Sequence, residues 1–60
     1  MKLIDLVKII YPATEIEFFN NKGQSLGFCA DILDIPFDLW HKEVNHIGTN
    51  EHGTLEIYMK

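Results

Sequence analysis

The sequence predicts an α+β domain laid out as helix, hairpin, short helix and hairpin, with a four-stranded, mainly antiparallel sheet carrying its helices on one face. Three observations point there. An amphipathic stretch with helical spacing opens the chain, a pair of alternating segments around an Asn- and Gly-containing turn follows, and a second such pair closes it. With 60 residues there is room for one domain, spanning 1–60. A chain of that size buries only about 60% of the surface its unfolded form exposes, so self-association is an expected source of added stability.

Leu3 to Tyr11 reads as the first helix. Leu3, Ile4, Leu6, Val7, Ile10 and Tyr11 share one broad face, and Lys2, Asp5 and Lys8 take the other. Pro12 disfavours helical geometry at Tyr11 and stops the element. Ile9 falls on the polar side and is the exception in the pattern.

From Thr14 to Phe19, Glu15 and Glu17 alternate with Ile16 and Phe18, the period of a half-buried strand. Asn20-Asn21-Lys22-Gly23 supplies the turn, with Gly23 free to take positive φ. The returning strand is expected to place Leu26, Phe28 and Ala30 on the covered side and Gly27, Cys29 and Asp31 on the other. Asp34-Ile35-Pro36 marks a helix start, with Asp34 as cap and Phe37, Leu39 and Trp40 as anchors.

Residues 43–49 admit two readings. Phe37, Trp40, Val44 and Ile47 lie on one helical stripe, which would prolong the second helix. A strand from Val44 to Thr49 is preferred, because Asn50-Glu51-His52-Gly53 looks like a hairpin turn into Thr54 to Met59. The covered face then takes Ile16, Phe18, Leu26, Phe28, Leu55 and Ile57. The other face takes Glu15, Glu17, Phe19, Cys29, Asp31, Glu56 and Tyr58.

Composition narrows the function classes. The net charge is −4, with five lysines, no arginine and nine carboxylates. Phosphate contacts rest on clustered Lys and Arg, and arginine makes the commonest base-specific contact, so nucleic acid is an unlikely partner. An acidic balance suits a basic partner surface. A single cysteine excludes an internal disulfide and fits a reducing compartment. No apolar run is long enough for a bilayer span, and no signal-like core is present. The expected location is the cytoplasm.

Catalytic and metal chemistry find little support. His41, His46 and His52 lack the tight spacing of a zinc site and read as solvated side chains. Cys29, between Phe28 and Ala30, has no local cation to activate it and reads as a small structural residue. Glu15 and Glu17 sit on an open strand face where nothing tunes a general acid or base. The reading is a non-enzymatic protein with no catalytic residue, no metal and no cofactor.

What remains is surface. Ile9, Glu15, Glu17, Phe19, Glu56 and Tyr58 form the candidate interface: acidic, with large apolar groups set into it. A homodimer joining outer sheet faces or edge strands would bury Phe19 and Tyr58.

Four segments carry a resemblance: D-L-V-K-I-I at 5–10, T-E-I-E-F-F at 14–19, D-I-P-F-D-L-W at 34–40 and G-T-L-E-I-Y-M at 53–59. They resemble small uncharacterised proteins encoded by phages and mobile elements of Gram-positive bacteria. The likeness covers most of the chain, but through core and turn residues, so it transfers no functional residue. It implies a compact accessory protein in the host cytoplasm that binds and modulates or inhibits a host protein, including a defence protein. The alternative is a protein that sequesters a small, nucleotide-type ligand in pockets at a homo-oligomer seam. His41, Lys42, Asn45 and His46 would supply some of its polar groups.

Overall fold

In the computed structural model, which describes residues 1–60, two Asn-x-x-Gly-x segments fold the chain back in the same way. Asn20 Oδ1 accepts from the backbone N–H of Lys22 and Gln24, both at 2.9 Å. Asn50 Oδ1 accepts from those of His52 and Thr54, at 2.8 and 3.1 Å. Gly23 and Gly53 take φ of 79° and 80°, a region open to glycine at little cost. The turns join β1 (Ile16–Phe19) to β2 (Ser25–Cys29) and β3 (Val44–Thr49) to β4 (Leu55–Met59), each pair antiparallel. Residues 44–49 are thus a strand.

The two pairs meet through β1 and β4, which run parallel, in the order β2-β1-β4-β3. The protein is a small α+β domain with one four-stranded mixed sheet and little helix. The expected mainly antiparallel sheet therefore has a parallel seam at its centre. Antiparallel neighbours connect by short turns, whereas parallel ones need a long crossover. Residues 30–43 supply the long connection, taking the chain from one sheet edge at β2 to the other at β3.

The first helix is shorter than its wheel suggests. α1 spans Leu3–Val7, and the chain then tightens: Ile9 donates to the Leu6 carbonyl and Ile10 to that of Val7, each three residues back. Val7, Ile9 and Ile10 are β-branched and propagate a helix poorly. Leu3, Leu6 and Val7 are buried, but Tyr11, expected on the core side, is 77% exposed because it lies beyond the helix. No side chain caps the N-terminus of α1; its first free N–H groups, on Leu3 and Ile4, donate to the carbonyls of Lys42 and Trp40.

The second helix resolves into two single turns of 3₁₀ helix, Ile32–Asp34 and Phe37–Leu39. Asp31, not Asp34, caps the first, accepting from Leu33 N–H at 2.9 Å. Pro36 has no N–H to continue a helical ladder and sits just ahead of the second turn. With so little helix, Ile35 and Leu39 reach the core and Trp40 packs partly against it, while Phe37, an expected anchor, is 82% exposed.

The core gathers Leu3, Leu6 and Val7 of α1, Ile35 and Leu39 of the connection, and Ile16, Phe18, Cys29, Ile57 and Met59 of the sheet. Cys29 on this face corrects the alternation expected for β2. Ile16 stands opposite Cys29, Glu17 opposite Phe28 and Phe18 opposite Gly27, so Cys29 and Gly27 turn inward and Phe28 turns out. The register then shifts, leaving Leu26 as an extra residue before Ser25 meets Phe19. The small side of β2 faces the core because Phe18 and Ile16, almost fully buried, already fill it.

Candidate functional site

Residues of opposite parity build the sheet face turned away from the core, in two rows across the strands. One row runs Ser25, Phe19, Tyr58, His46; the other runs Phe28, Glu17, Glu56, Gly48. Regular pairing back from the second turn sets the β3 half of the pattern, Thr49 opposite Leu55 through His46 opposite Tyr58; the irregularity comes after it, between His46 and Val44.

The first row is a stack of rings. Phe19 and Tyr58 have centroids 4.8 Å apart at 17° between planes. His46 and Tyr58 are 4.3 Å apart at 16°. Cross-strand neighbours lie at about 4.5–5.5 Å between Cβ atoms, so rings rising from three adjacent strands fall naturally into contact. Stacking leaves Phe19 and Tyr58 half-buried, less open than alternation alone would make them.

The second row is acidic. Glu17 and Glu56 are in register on parallel neighbours. Ser25 Oγ donates to Glu17 Oε2 at 2.8 Å, and Tyr58 OH donates to Glu56 Oε1 at 3.3 Å. The Tyr58 phenol is held above its ordinary pKa, first by desolvation, then by the charge and hydrogen bond of Glu56, then by the charge of Glu17. Phe28 closes one end of the row and is 56% exposed. Gly48 ends the other, and a Cβ there would meet nothing within 4 Å.

Of the six residues singled out in the sequence, the structure thus brings Glu17, Phe19, Glu56 and Tyr58 together. Glu15 precedes β1 and is exposed; its carbonyl accepts from Leu55 N–H at 3.0 Å. Ile9 is 78% exposed just after α1, whose Leu3, Leu6 and Val7 join the core. Phe28 and His46 join the face without having been expected there. The signal for Phe28 is the register irregularity in β2, which simple alternation does not contain; that for His46 is regular pairing of β3 with β4 back from the second turn.

The remaining reactive groups are dispersed. The Cys29 thiol is buried and donates to the Asp34 carbonyl at 3.5 Å; burial, and then the charge of Asp34, push its pKa up. The structure gathers no group of three His, Cys, Asp or Glu side chains placed to hold a metal ion. No pocket opens in the surface of the single chain, and no helix is long and apolar enough to cross a membrane. Comparison with protein-family models, with curated proteins and with solved structures finds no match.

Proposed function

We propose that the protein is a non-enzymatic interaction module that docks onto a host protein through the outer face of its sheet, in the manner of a phage-type accessory factor. One observation supports the reading: Leu3, Leu6, Val7, Ile35 and Leu39 join the core with Ile16, Phe18 and Ile57, while Phe19, Tyr58 and His46 stack beside Glu17 and Glu56. Aromatic groups concentrated at the centre of a surface, with polar groups around them, are the usual composition of a protein-binding patch.

The test is recovery of a binding partner from lysate of a Gram-positive host, with wild type and face variants run in parallel. Phe19→Ser with Phe28→Ser should lose the partner while keeping the far-ultraviolet spectrum of the fold. Retention by the folded variant would move the docking surface elsewhere.

A second reading, homodimerisation, is favoured by a different set of residues. Ile9, Tyr11, Leu33 and Phe37 are 78%, 77%, 85% and 82% exposed, all in segments outside the sheet. Ile32 N–H donates to the Pro12 carbonyl at 3.2 Å, which brings the Tyr11 and Leu33 segments together. Light scattering should give twice the 7.0 kDa chain mass, and Leu33→Lys should return the monomer. A monomeric wild type at micromolar concentration excludes this contact. Stabilisation by a cyclic nucleotide in a thermal-shift screen would instead favour a ligand-sequestering role at a subunit seam.

A further inference from the structure

The outer face carries a charge imbalance that the chain does not relieve with its own cations. Glu17 and Glu56 face each other across neighbouring strands, an arrangement in which like charges destabilise a sheet. Their hydrogen-bond donors, the hydroxyls of Ser25 and Tyr58, are both neutral. The ion pairs lie elsewhere: Lys8 with Asp5 and the N-terminal amine with Glu43. Lys2, Lys8, Lys22, Lys42 and Lys60 all fall outside the four strands, and the chain has no arginine.

The same face has surface to offer a planar cation. Tyr58 stands mid-stack with both ring faces occupied, whereas Phe19 and His46 each stack on one side only. Beside Phe19 on β2 stands Ser25, and beside Glu56 on β3 stands Gly48, so space is left next to both a ring and a carboxylate. A guanidinium suits this arrangement better than an ammonium. It forks onto carboxylates, stacks on aromatic faces and is the more weakly hydrated of the two.

We propose that the outer face docks a partner segment bearing arginine, the guanidinium pairing with Glu17 and Glu56 and lying against the aromatic row. The inference rests on the reading of this face as the docking surface and adds the chemistry of its occupant. A second copy of the chain does not fit. Sheets packed face to face lie about 10 Å apart, and a twofold pair would bring both copies' carboxylates together without a lysine or arginine between them. Nucleic acid is repelled by the same charges.

The test is a titration of the isotope-labelled chain with a short arginine–glycine peptide, followed by amide chemical shifts. A lysine–glycine peptide of equal length serves as control, and Asp31, Asp34 and Asp38 provide a second acidic segment within the same molecule. Shifts should concentrate at Glu17, Phe19, His46, Gly48, Glu56 and Tyr58, and the arginine peptide should bind more tightly. Glu17→Gln with Glu56→Gln should weaken binding about fivefold or more. Gly48→Lys meets no obstacle at Cβ and no positive φ to strain it; it places a lysine opposite Glu56 and should reduce binding likewise.

Equal shifts at the Asp31–Asp38 segment, or unchanged affinity in the Gln variant, would overturn the proposal. If that variant keeps a host partner that Phe19→Ser with Phe28→Ser loses, the arginine inference falls and the docking face stands. If both keep it, the docking face falls too.

Discussion

Phe18 and Phe19 are consecutive in one strand, yet they belong to different halves of the molecule. Phe18 is 1% exposed in the core, packed with the apolar side chains of Ile16, Ile57 and Met59. Phe19 stacks on Tyr58 beside Glu17 and Glu56. One face of the sheet satisfies the fold. The other holds two carboxylates opposite each other and large rings half in water, an arrangement stability alone does not select.

Truncating each phenylalanine should separate the two faces most sharply. Phe18→Ala leaves a cavity and should cost about 3–5 kcal/mol, comparable to the whole stability of a small domain. Phe19→Ala should cost less, losing about 0.5–1.5 kcal/mol of stacking beyond the area covered by a half-buried ring. Urea denaturation followed by circular dichroism measures both. Equal losses would mean that the outer rings are as structural as the core.

The glycines of the two edge strands sharpen the contrast at smaller amplitude. Gly27 has φ of 142°, beside the extra residue of β2, and Gly27→Ala should destabilise by about 1 kcal/mol or more. Gly48 has no such constraint, and Gly48→Ala should stabilise by roughly 0.5–1 kcal/mol. Thermal melts of the two variants should move in opposite directions; a shared direction would contradict the bulged geometry of β2.

The acidic pair predicts a smaller gain. Removing either charge, by Glu17→Gln or Glu56→Gln, should raise stability by about 0.2–1 kcal/mol. A loss instead would make the carboxylates supports of the sheet.

Two groups with raised pKa values, one on each face, contribute to the alkaline limb of stability. The pKa values of Cys29 and Tyr58 lie above their ordinary 9.0 and 10.0. The fold favours the protonated form of each, so their contributions are full below those values and lost as pH rises through the raised ones. Glu43 behaves oppositely. The N-terminal amine, by hydrogen bond and then by charge, lowers its pKa from 4.5, and its contribution disappears as pH falls through the lowered value. In Tyr58→Phe, melting temperature should fall less steeply above pH 10.0; an unchanged slope would assign the loss elsewhere.

Local chemistry made the two turns readable, because Asn with a glycine three residues on specifies its own hydrogen bonds. The strand at 44–49 followed from the second turn. The parallel seam between β1 and β4 joins segments about forty residues apart, which no local pattern encodes. The alternating Leu26, Phe28 and Ala30 point to the core side, whereas Phe28 turns out and Ala30 lies just past the end of β2. Gly27 permits a bulge there, and the packing around Phe18 decides the parity. On the outer face Glu17, Phe19, Glu56 and Tyr58 were legible from alternation in the two central strands. Phe28 is turned out by the register shift in β2, which alternation does not contain, whereas His46 follows from regular pairing counted back from the second turn.

A thermal-shift titration of wild type and the Glu17→Gln, Glu56→Gln double variant with the arginine–glycine peptide tests the central claim most directly. The outer face is predicted to hold its charges for a partner at the expense of stability. Without peptide the variant should melt higher than wild type, and with peptide only the wild type should gain. A variant that melts lower, or gains as much as wild type, would contradict it.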